Sequence, residues 1–501
     1  AILADAVSLV EKLEGKKIDI ENIPLDDTKT FEMLARGETI GLFQLNGDGM
    51  TKYLKDLKPS TIHDINAMVA LYRPGPLESI PEYIERKHDA KKIRFLDPRM
   101  KDILSQSYGV ITYQDDVMLI AINLAGYSWL EADKLRKAMG KKIPAEMEAQ
   151  KGKLREGLIK KGLSEKKADE LWKLIEPFAA YGFNKAHAAS YGRVAYQTSY
   201  MKANFPAIYM ASVLTADSGD VEKIGETITE CKRMGIPVLP PSINESMGNF
   251  TVIKMDNEKD KIRFGLTTIK NFGEGIADFI IAERKENGRF SSITNFLERI
   301  HDRNLNKKSL EALIKAGAMD EFGERGMLLA NVERMLAYNK EHGAEGPKGA
   351  SLFGGLASAS SLHDIRLEPT EPAKQADMLT WEKELLGLFI SGHPLDRIKH
   401  LLEKRKQNIK TFKETAKNGT VIMLGGVLEE VKVIMTKNNE AMAFLTLADY
   451  TGNIEIVVFP RTFREYKDIF VQDACVAIEG KLSNRNDTPS IIAERAKKLE
   501  A

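Results

Sequence analysis

The spacing of apolar residues changes once along this chain, and that change limits the fold more than any other feature. From Ala1 to about Met234 apolar positions recur every three or four residues, as at Val117, Ile120, Ala121 and Leu124. A helix with one buried stripe has this period. From Thr420 to Leu499 the pattern breaks into short runs: Val421–Leu424, Val431–Ile434, Ala443–Leu447, Ile454–Phe459 and Ala474–Gly480. Turn residues at Lys437-Asn438-Asn439 and Tyr450-Thr451-Gly452-Asn453 punctuate them, so each run is expected to be a strand.

Five short strands, with a helical stretch at Phe463–Val471 between the later ones, predict a small Greek-key barrel of the oligonucleotide-binding (OB) type. The fold class is therefore multidomain and mainly α, with a C-terminal β-barrel OB-fold. A chain of 501 residues has room for about three domains at roughly 150 residues each. Gly235-Ile236-Pro237-Val238-Leu239-Pro240-Pro241 breaks the first helical region, and a hairpin is expected near Phe250–Ile253 and Ile262–Gly265 before helices resume. Gly343–Ser361 has the Gly, Ser and Ala content of a linker, and a helix is expected around Trp381–Phe389. The expected domains are 1–235, 236–342, a linker with a connecting helix at 343–417, and the barrel at 418–501.

The net charge of +1 conceals a local excess: Lys134–Lys167 holds twelve Lys/Arg against four Asp/Glu, which suits a polyanion. With 43% apolar and 29% charged residues, and no apolar run near the ~18 residues that cross a bilayer, no membrane role is expected. Two cysteines, Cys231 and Cys475, give neither a disulfide framework nor a zinc quartet, and fit a reducing cytoplasm. Ala1–Val10 lacks the basic start of a secretory signal and reads as a helix entered part-way. The chain is expected to be a piece of a longer polypeptide.

Two runs carry the chemistry. Leu135–Lys142 sets Arg136, Lys137, Lys141 and Lys142 around Gly140, where a helix could end and aim several cations at one group of phosphates. A solvated basic face fits the same composition. Tyr181–Tyr191 combines glycine, the directional hydrogen-bonding groups of Asn184 and His187, the charge of Lys185 and stacking rings. A loop whose Asn caps the following helix is the alternative. Arg73, pinned before Pro74-Gly75-Pro76, would make a phosphate or carboxylate clamp, or end its helix as an ordinary surface arginine.

Tyr113-Gln114-Asp115-Asp116 resembles a metal-binding carboxylate pair, but the helical spacing after it puts both acids in a first helical turn, next to the positive end of the dipole. Ile269–Ala277 has the helix-hairpin-helix form, in which Lys270, Gly273 and Gly275 would meet a DNA phosphate without reading bases; packing alone is the other reading. A second, weaker copy falls at Ala316–Met319. In the linker, Ser351-Leu352-Phe353 is an apolar pair of the kind that enters a partner's groove, or a stray hydrophobe. Phe444, Tyr450 and Phe459 suit base stacking and barrel packing equally. There is no Walker loop, no Cys-x-x-Cys pair and no carboxylate pair on a convincing strand, so no catalytic or metal-binding residue is assigned.

Gly41–Leu45, Leu71–Leu77, Tyr113–Met118, Leu135–Lys142, Gly182–His187 and Gly387–Leu395 together resemble the bacterial replicative DNA polymerase III α subunit, a C-family DNA polymerase, from the first helix to the last strand. The resemblance implies a fingers domain, a tandem helix-hairpin-helix domain for primer-template DNA and the sliding clamp, and an OB domain for single-stranded template. It implies that Arg136 and Lys137, with Lys141 and Lys142, hold the incoming dNTP, that Asn184, Lys185 and His187 line the nascent base pair, and that Arg73 supports the pocket. Mg²⁺ would be held by palm aspartates outside this chain, leaving the fragment alone inactive. Clamp loader and proofreading subunit would bind through regions beyond it. The family's clamp peptide often begins with Gln where this chain has Gly349; Gln375–Leu379 has a Gln but leads into a helix and lacks the final aromatic. The alternative to a polymerase is a non-catalytic DNA-binding scaffold. A self-contained polymerase using Asp115 and Asp116 is the third reading.

Overall fold

The computed structural model describes all residues except 142–143, 177–182, 256–258, 343–364, 404–407, 437, 484–488 and 500–501. Its contacts separate into two units, Ala1–Pro241 with Glu245–Thr268, and Ser242–Asn244 with Ile269–Ala501.

The first unit is helical: α1 (Ile2–Glu14), α2 (Thr28–Ala35), α3 (Asp48–Leu57), α4 (Ile62–Leu71), α5 (Ile80–His88), α6 (Gln114–Ala125), α7 (Trp129–Lys141), α8 (Pro144–Lys160), α9 (Glu165–Ile175), α10 (Lys185–Asn204), α11 (Pro206–Ala216) and α12 (Val221–Arg233). The longest, α10, is the spine and packs against α4, α2 and α11. Ala188, Gly192, Ala195 and Ser199 bury one stripe of it, and from Ala195 to Lys202 Tyr196, Gln197 and Met201 are buried on its other sides as well, as a helix enclosed by its neighbours requires. Gly192 sets the approach to α4: a Cβ there would lie 1.9 Å from Asn66 Oδ1 and 3.3 Å from Asn66 Cα. A buried ion network ties α10 to α12. Lys202, fully buried, donates to Glu230 Oε1 at 2.6 Å and to the carbonyls of Glu38 and Ile40 at 2.9 and 2.8 Å.

The expected hairpin is present as β2 (Thr251–Ile253) antiparallel to β3 (Lys261–Arg263), with β1 (Val238–Leu239) parallel to β3 on the other side. This small sheet makes its contacts within the first unit. Helix α7 ends at Lys141, one residue past Gly140, where a helix end was expected.

The second unit begins with α13 (Glu274–Asn287), α14 (Ile293–Arg299), α15 (Lys307–Lys315), α16 (Arg325–Ala330), α17 (Val332–His342) and α18 (Gln375–Leu386). Gly317, at φ 84°, turns the chain between α15 and α16, and a Cβ there would meet the Arg325 guanidinium at 2.3 Å. Arg325 is itself buried, forked onto Asp320 at 2.9 and 2.8 Å and bonded to fully buried Glu382 of α18 at 2.9 Å.

The unit ends in a closed barrel of β4 (Val421–Met435), β5 (Ala441–Asp449), β6 (Gly452–Val458), β8 (Ser490–Lys498) and β7 (Cys475–Ser483), paired in that spatial order. Helix α19 (Ile409–Thr415) plugs one side, and α20 (Pro460–Tyr466) lies between β6 and β7, within the region where a helix was expected. The strand count is as predicted but the membership differs. Val421–Leu424 and Val431–Ile434 form one bent strand, β4, whose register shifts between Leu428 and Glu430. The fifth strand is β8, which had no expected counterpart.

Candidate nucleic-acid interface

The starts of α6 and α10 meet in the first unit, and the Tyr-x-Asp-Asp segment explains how. Asp116 is buried and accepts the N–H groups of Thr112 and Tyr113, both at 2.9 Å, which closes the start of α6. Burial raises its carboxyl to about 6, more than those two bonds lower it. Asp115 reaches across instead and accepts the Lys185 N–H at 2.8 Å. The Gln114 N–H donates to the Phe183 carbonyl at 3.0 Å, so the loop before α10 is laced to α6 from both sides. These acids are helix-start and loop-tying groups, as the spacing after them indicated. Among the described residues no three His, Cys, Asp or Glu are gathered as a metal would require.

Asn184 caps α10, its Oδ1 accepting the His187 N–H at 2.9 Å, and Lys185 Nζ lies 5.7 Å from the centre of the Tyr113 ring. The capping alternative for Asn184 is thus realised, while Lys185 and His187 remain exposed. Arg73 comes two residues after α4 ends at Leu71, and its guanidinium stacks over the Phe183 ring at 4.4 Å. Its Nε is buried with no hydrogen-bond partner among the described residues. The structure therefore joins Arg73, Asn184, Lys185 and His187 around Phe183. Tyr181 and Gly182 lie outside the described residues.

Arg136 and Lys137 are on α7, which packs on α6. Both are paired to Asp133 one turn earlier: Arg136 at 3.0 and 2.7 Å, Lys137 at 2.8 Å. Neither is buried; their side chains keep 38% and 60% of their exposure. One carboxylate against two cations leaves net positive charge at the helix end. Part of the remaining basic segment is also paired, Lys153 with Glu131 at 2.6 Å and Arg155 with Glu165 and Asp169 at 2.9 Å each. Lys142, and the side chain of Lys141, lie outside the described residues.

In the second unit α13 starts directly after Gly273, and Asn271, at φ 68°, makes the turn before it. Gly273 and Gly275 are exposed, and nothing stands within 4 Å of a Cβ at either, which leaves the backbone amides approachable. The Lys270 N–H is held by the Leu385 carbonyl at 2.9 Å, leaving its side chain exposed. On the barrel, Tyr450 and Phe459 are exposed, whereas Phe444 is half-buried. Ser351, Leu352 and Phe353 lie outside the described residues.

One feature escaped the sequence reading. Phe43 packs against Tyr191 with ring centres 5.4 Å apart, Tyr191 against His187 at 4.2 Å, and His187 against Phe183 at 5.0 Å. Phe183, His187 and Tyr191 are spaced by four residues, a visible helical stripe, but nothing in sequence tied Phe43 to it. The residue after Phe43 is strained: Gln44 has φ 59°, closed by the Leu45 N–H on the Phe43 carbonyl at 2.8 Å, a geometry costing about 1–3 kcal/mol.

The comparisons with known proteins agree with this layout. Residues 1–162 match the bacterial DNA polymerase III alpha subunit finger domain, 235–327 the helix-hairpin-helix motif, and 422–499 the OB-fold nucleic acid binding domain. Three such segments in this order define a multidomain nucleic-acid-binding chain. The chain is 38% identical to DNA polymerase III subunit alpha of Saccharopolyspora erythraea, over 99% of its own length and 42% of the relative's. It is 40% identical to that of Thermus aquaticus (92% and 38%) and 39% identical to that of Bacillus subtilis (100% and 44%). Over this finger-to-barrel stretch the chain is similar to bacterial DNA polymerase III α subunits, and its residues 1–162 match their finger domain. It spans about two fifths of the length of these curated relatives.

Proposed function

We propose that the chain is the finger-to-barrel part of a DNA-dependent DNA polymerase of bacterial replication, and that it aligns substrates without performing phosphoryl transfer. The fingers would occupy 1–235, the helix-hairpin-helix region 236–342, the linker 343–417 and the barrel 418–501. Arg136 and Lys137, with Lys141 and Lys142, neutralise the incoming dNTP's phosphates; Asn184, Lys185 and His187 face the nascent base pair, with Arg73 behind them. The observation that carries this reading is the lacing of the Phe183–Lys185 loop to the start of α6. Helix α7 packs on α6 after a three-residue connection, Gly126–Ser128; in a helical hairpin of this kind its cationic end would return toward that same start. Lys270, Gly273 and Gly275 would take primer-template phosphates, the barrel single-stranded template, and Ser351-Leu352-Phe353 the sliding clamp. The resemblance assigns Mg²⁺ to palm aspartates, and the clamp loader and proofreading subunit to regions outside this stretch; the cytoplasm is the expected compartment.

The test joins a matching palm to this chain and measures apparent dNTP affinity. Arg136→Ala with Lys137→Ala should weaken it, by about 1.5–3 kcal/mol for each charged hydrogen bond lost; an unchanged value defeats the pocket. The pairing of both cations to Asp133 favours a second reading, a DNA holder without a nucleotide site. Its mark is primer-template binding that falls steeply with salt and ignores the next complementary dNTP.

A further inference from the structure

The Gly41–Leu45 turn is held from beneath. The Phe43 N–H donates to Thr198 Oγ1 at 3.3 Å, and Tyr209 donates its hydroxyl to the Gly41 carbonyl at 2.7 Å, so α10 and α11 together fix the turn. Such support is what a strained residue needs in order to persist, and strain of this kind gathers where a side chain must be aimed. What it aims here is polar: Gln44 is exposed, with no hydrogen bond to its amide among the described residues. Phe43 beside it keeps 38% of its surface in solvent, which core packing does not require.

From Phe43 the rings of Tyr191, His187 and Phe183 follow in contact, and the row ends in the Arg73 guanidinium. A row of rings, exposed at Phe43 and His187 and half-buried at Tyr191 and Phe183, with a cation at one end matches the π-face of a nucleobase and the charge of its attached phosphate. An adjacent amide can both donate and accept, which suits a base edge. We propose that the Phe43–Gln44 turn and Tyr191 form a nucleobase platform, in which the rings take the face of one unstacked base and the Gln44 amide reaches its edge. The platform rests on the reading of Asn184–His187 as a nucleotide-facing loop and extends it to residues that reading does not include.

The base can come from a free nucleotide or from a strand, and two probes separate these sources: 2-aminopurine deoxynucleoside triphosphate, and a single-stranded oligonucleotide with one internal 2-aminopurine. Stacking on the platform should quench the probe's fluorescence. Phe43→Leu and Tyr191→Leu keep apolar bulk but lose a ring; each should weaken the responding probe roughly tenfold and abolish quenching, with the salt slope unchanged. Gln44→Gly relieves the backbone, so it should raise the melting temperature yet weaken binding, a pairing that a merely structural role would not give. Binding and quenching of both probes unaltered in Phe43→Leu and Tyr191→Leu overturn the platform, as does the absence of quenching by the unaltered chain. Arg136→Ala with Lys137→Ala serves as the separate control. Loss of triphosphate binding there with intact quenching in the ring variants sinks the platform alone, and the reverse pattern sinks only the phosphate assignment.

Discussion

Each unit buries an ion network, and the two do different jobs. In the first, the Lys202 ammonium sits among two backbone carbonyls and the Glu230 carboxylate, while Arg233 forks onto the same carboxylate at 2.7 and 2.9 Å. Burial alone would raise Glu230, but the Arg233 hydrogen bond and the Lys202 charge hold it below its ordinary value. In the second, Arg325 bonds Glu382, whose other oxygen accepts the N–H groups of Ile390 and Ser391 at 2.9 Å each. The first network locks helices that already share a core. The second fastens the Ile390–Ser391 loop to α18, and α18 to Arg325 at the start of α16. A buried charge can thus lock two helices together or pin a loop beside one.

The largest effect should come from Lys202→Ala, which strands Glu230 and two carbonyls; a loss of about 3–5 kcal/mol in urea unfolding is expected for a broken buried pair. A loss below 1 kcal/mol would mean that Arg233 suffices. Asp116 supplies the contrast of a buried acid without a contacting cation. Its folded value of about 6 lies above the ordinary 3.8, so the folded state binds the extra proton. Stability from this group is present below about pH 4 and is lost as pH rises to about 6, on the order of 3 kcal/mol at 1.36 kcal/mol per pH unit. Asp116→Asn keeps an oxygen for both N–H groups and should flatten that slope.

Glu382→Gln retains an acceptor for the 390–391 amides but loses the charge facing Arg325. About 2 kcal/mol is expected, read as faster proteolysis within 387–393. Equal destabilisation of the first unit would erase the distinction between the networks. The smallest effect is one of labelling rate. Burial pushes the Cys231 thiol, next to Glu230, up to about 12, whereas Cys475 is half-buried and donates to the Pro394 carbonyl at 3.6 Å. A thiol reagent should therefore modify Cys475 first, and Glu382→Gln should speed that step while leaving Cys231 protected.

Local signals carried much of the architecture. Helical spacing after Asp116 placed α6 correctly, and turn residues placed the β5–β6 hairpin at Asp449 and Gly452. The bend in β4 was hidden because the register shift at Leu428 and Glu430 is a tertiary feature, made against β5. Strand β8 was hidden because only Ile491, Ala493 and, in part, Ala496 pack on the barrel core, and Glu494–Lys498 reads like a charged helix. In the candidate site the grouping of amide, imidazole, cation and rings within Tyr181–Tyr191 was legible. The pairing of Arg136 and Lys137 to Asp133 was not, since a carboxylate one turn away can point to solvent as easily as to its neighbours. Phe43 lies far from Tyr191 along the chain, and no local rule joins them.

Gly192 acts as a spacer of zero thickness. Arg73 follows the end of α4 and Asn184 precedes the start of α10, so the gap between those helices gauges how far the arginine stands from the loop it meets. A methyl group at Gly192 would wedge that gap through the Asn66 backbone, 3.3 Å away, and detune the site from two turns inside the helix without touching any residue that faces solvent there.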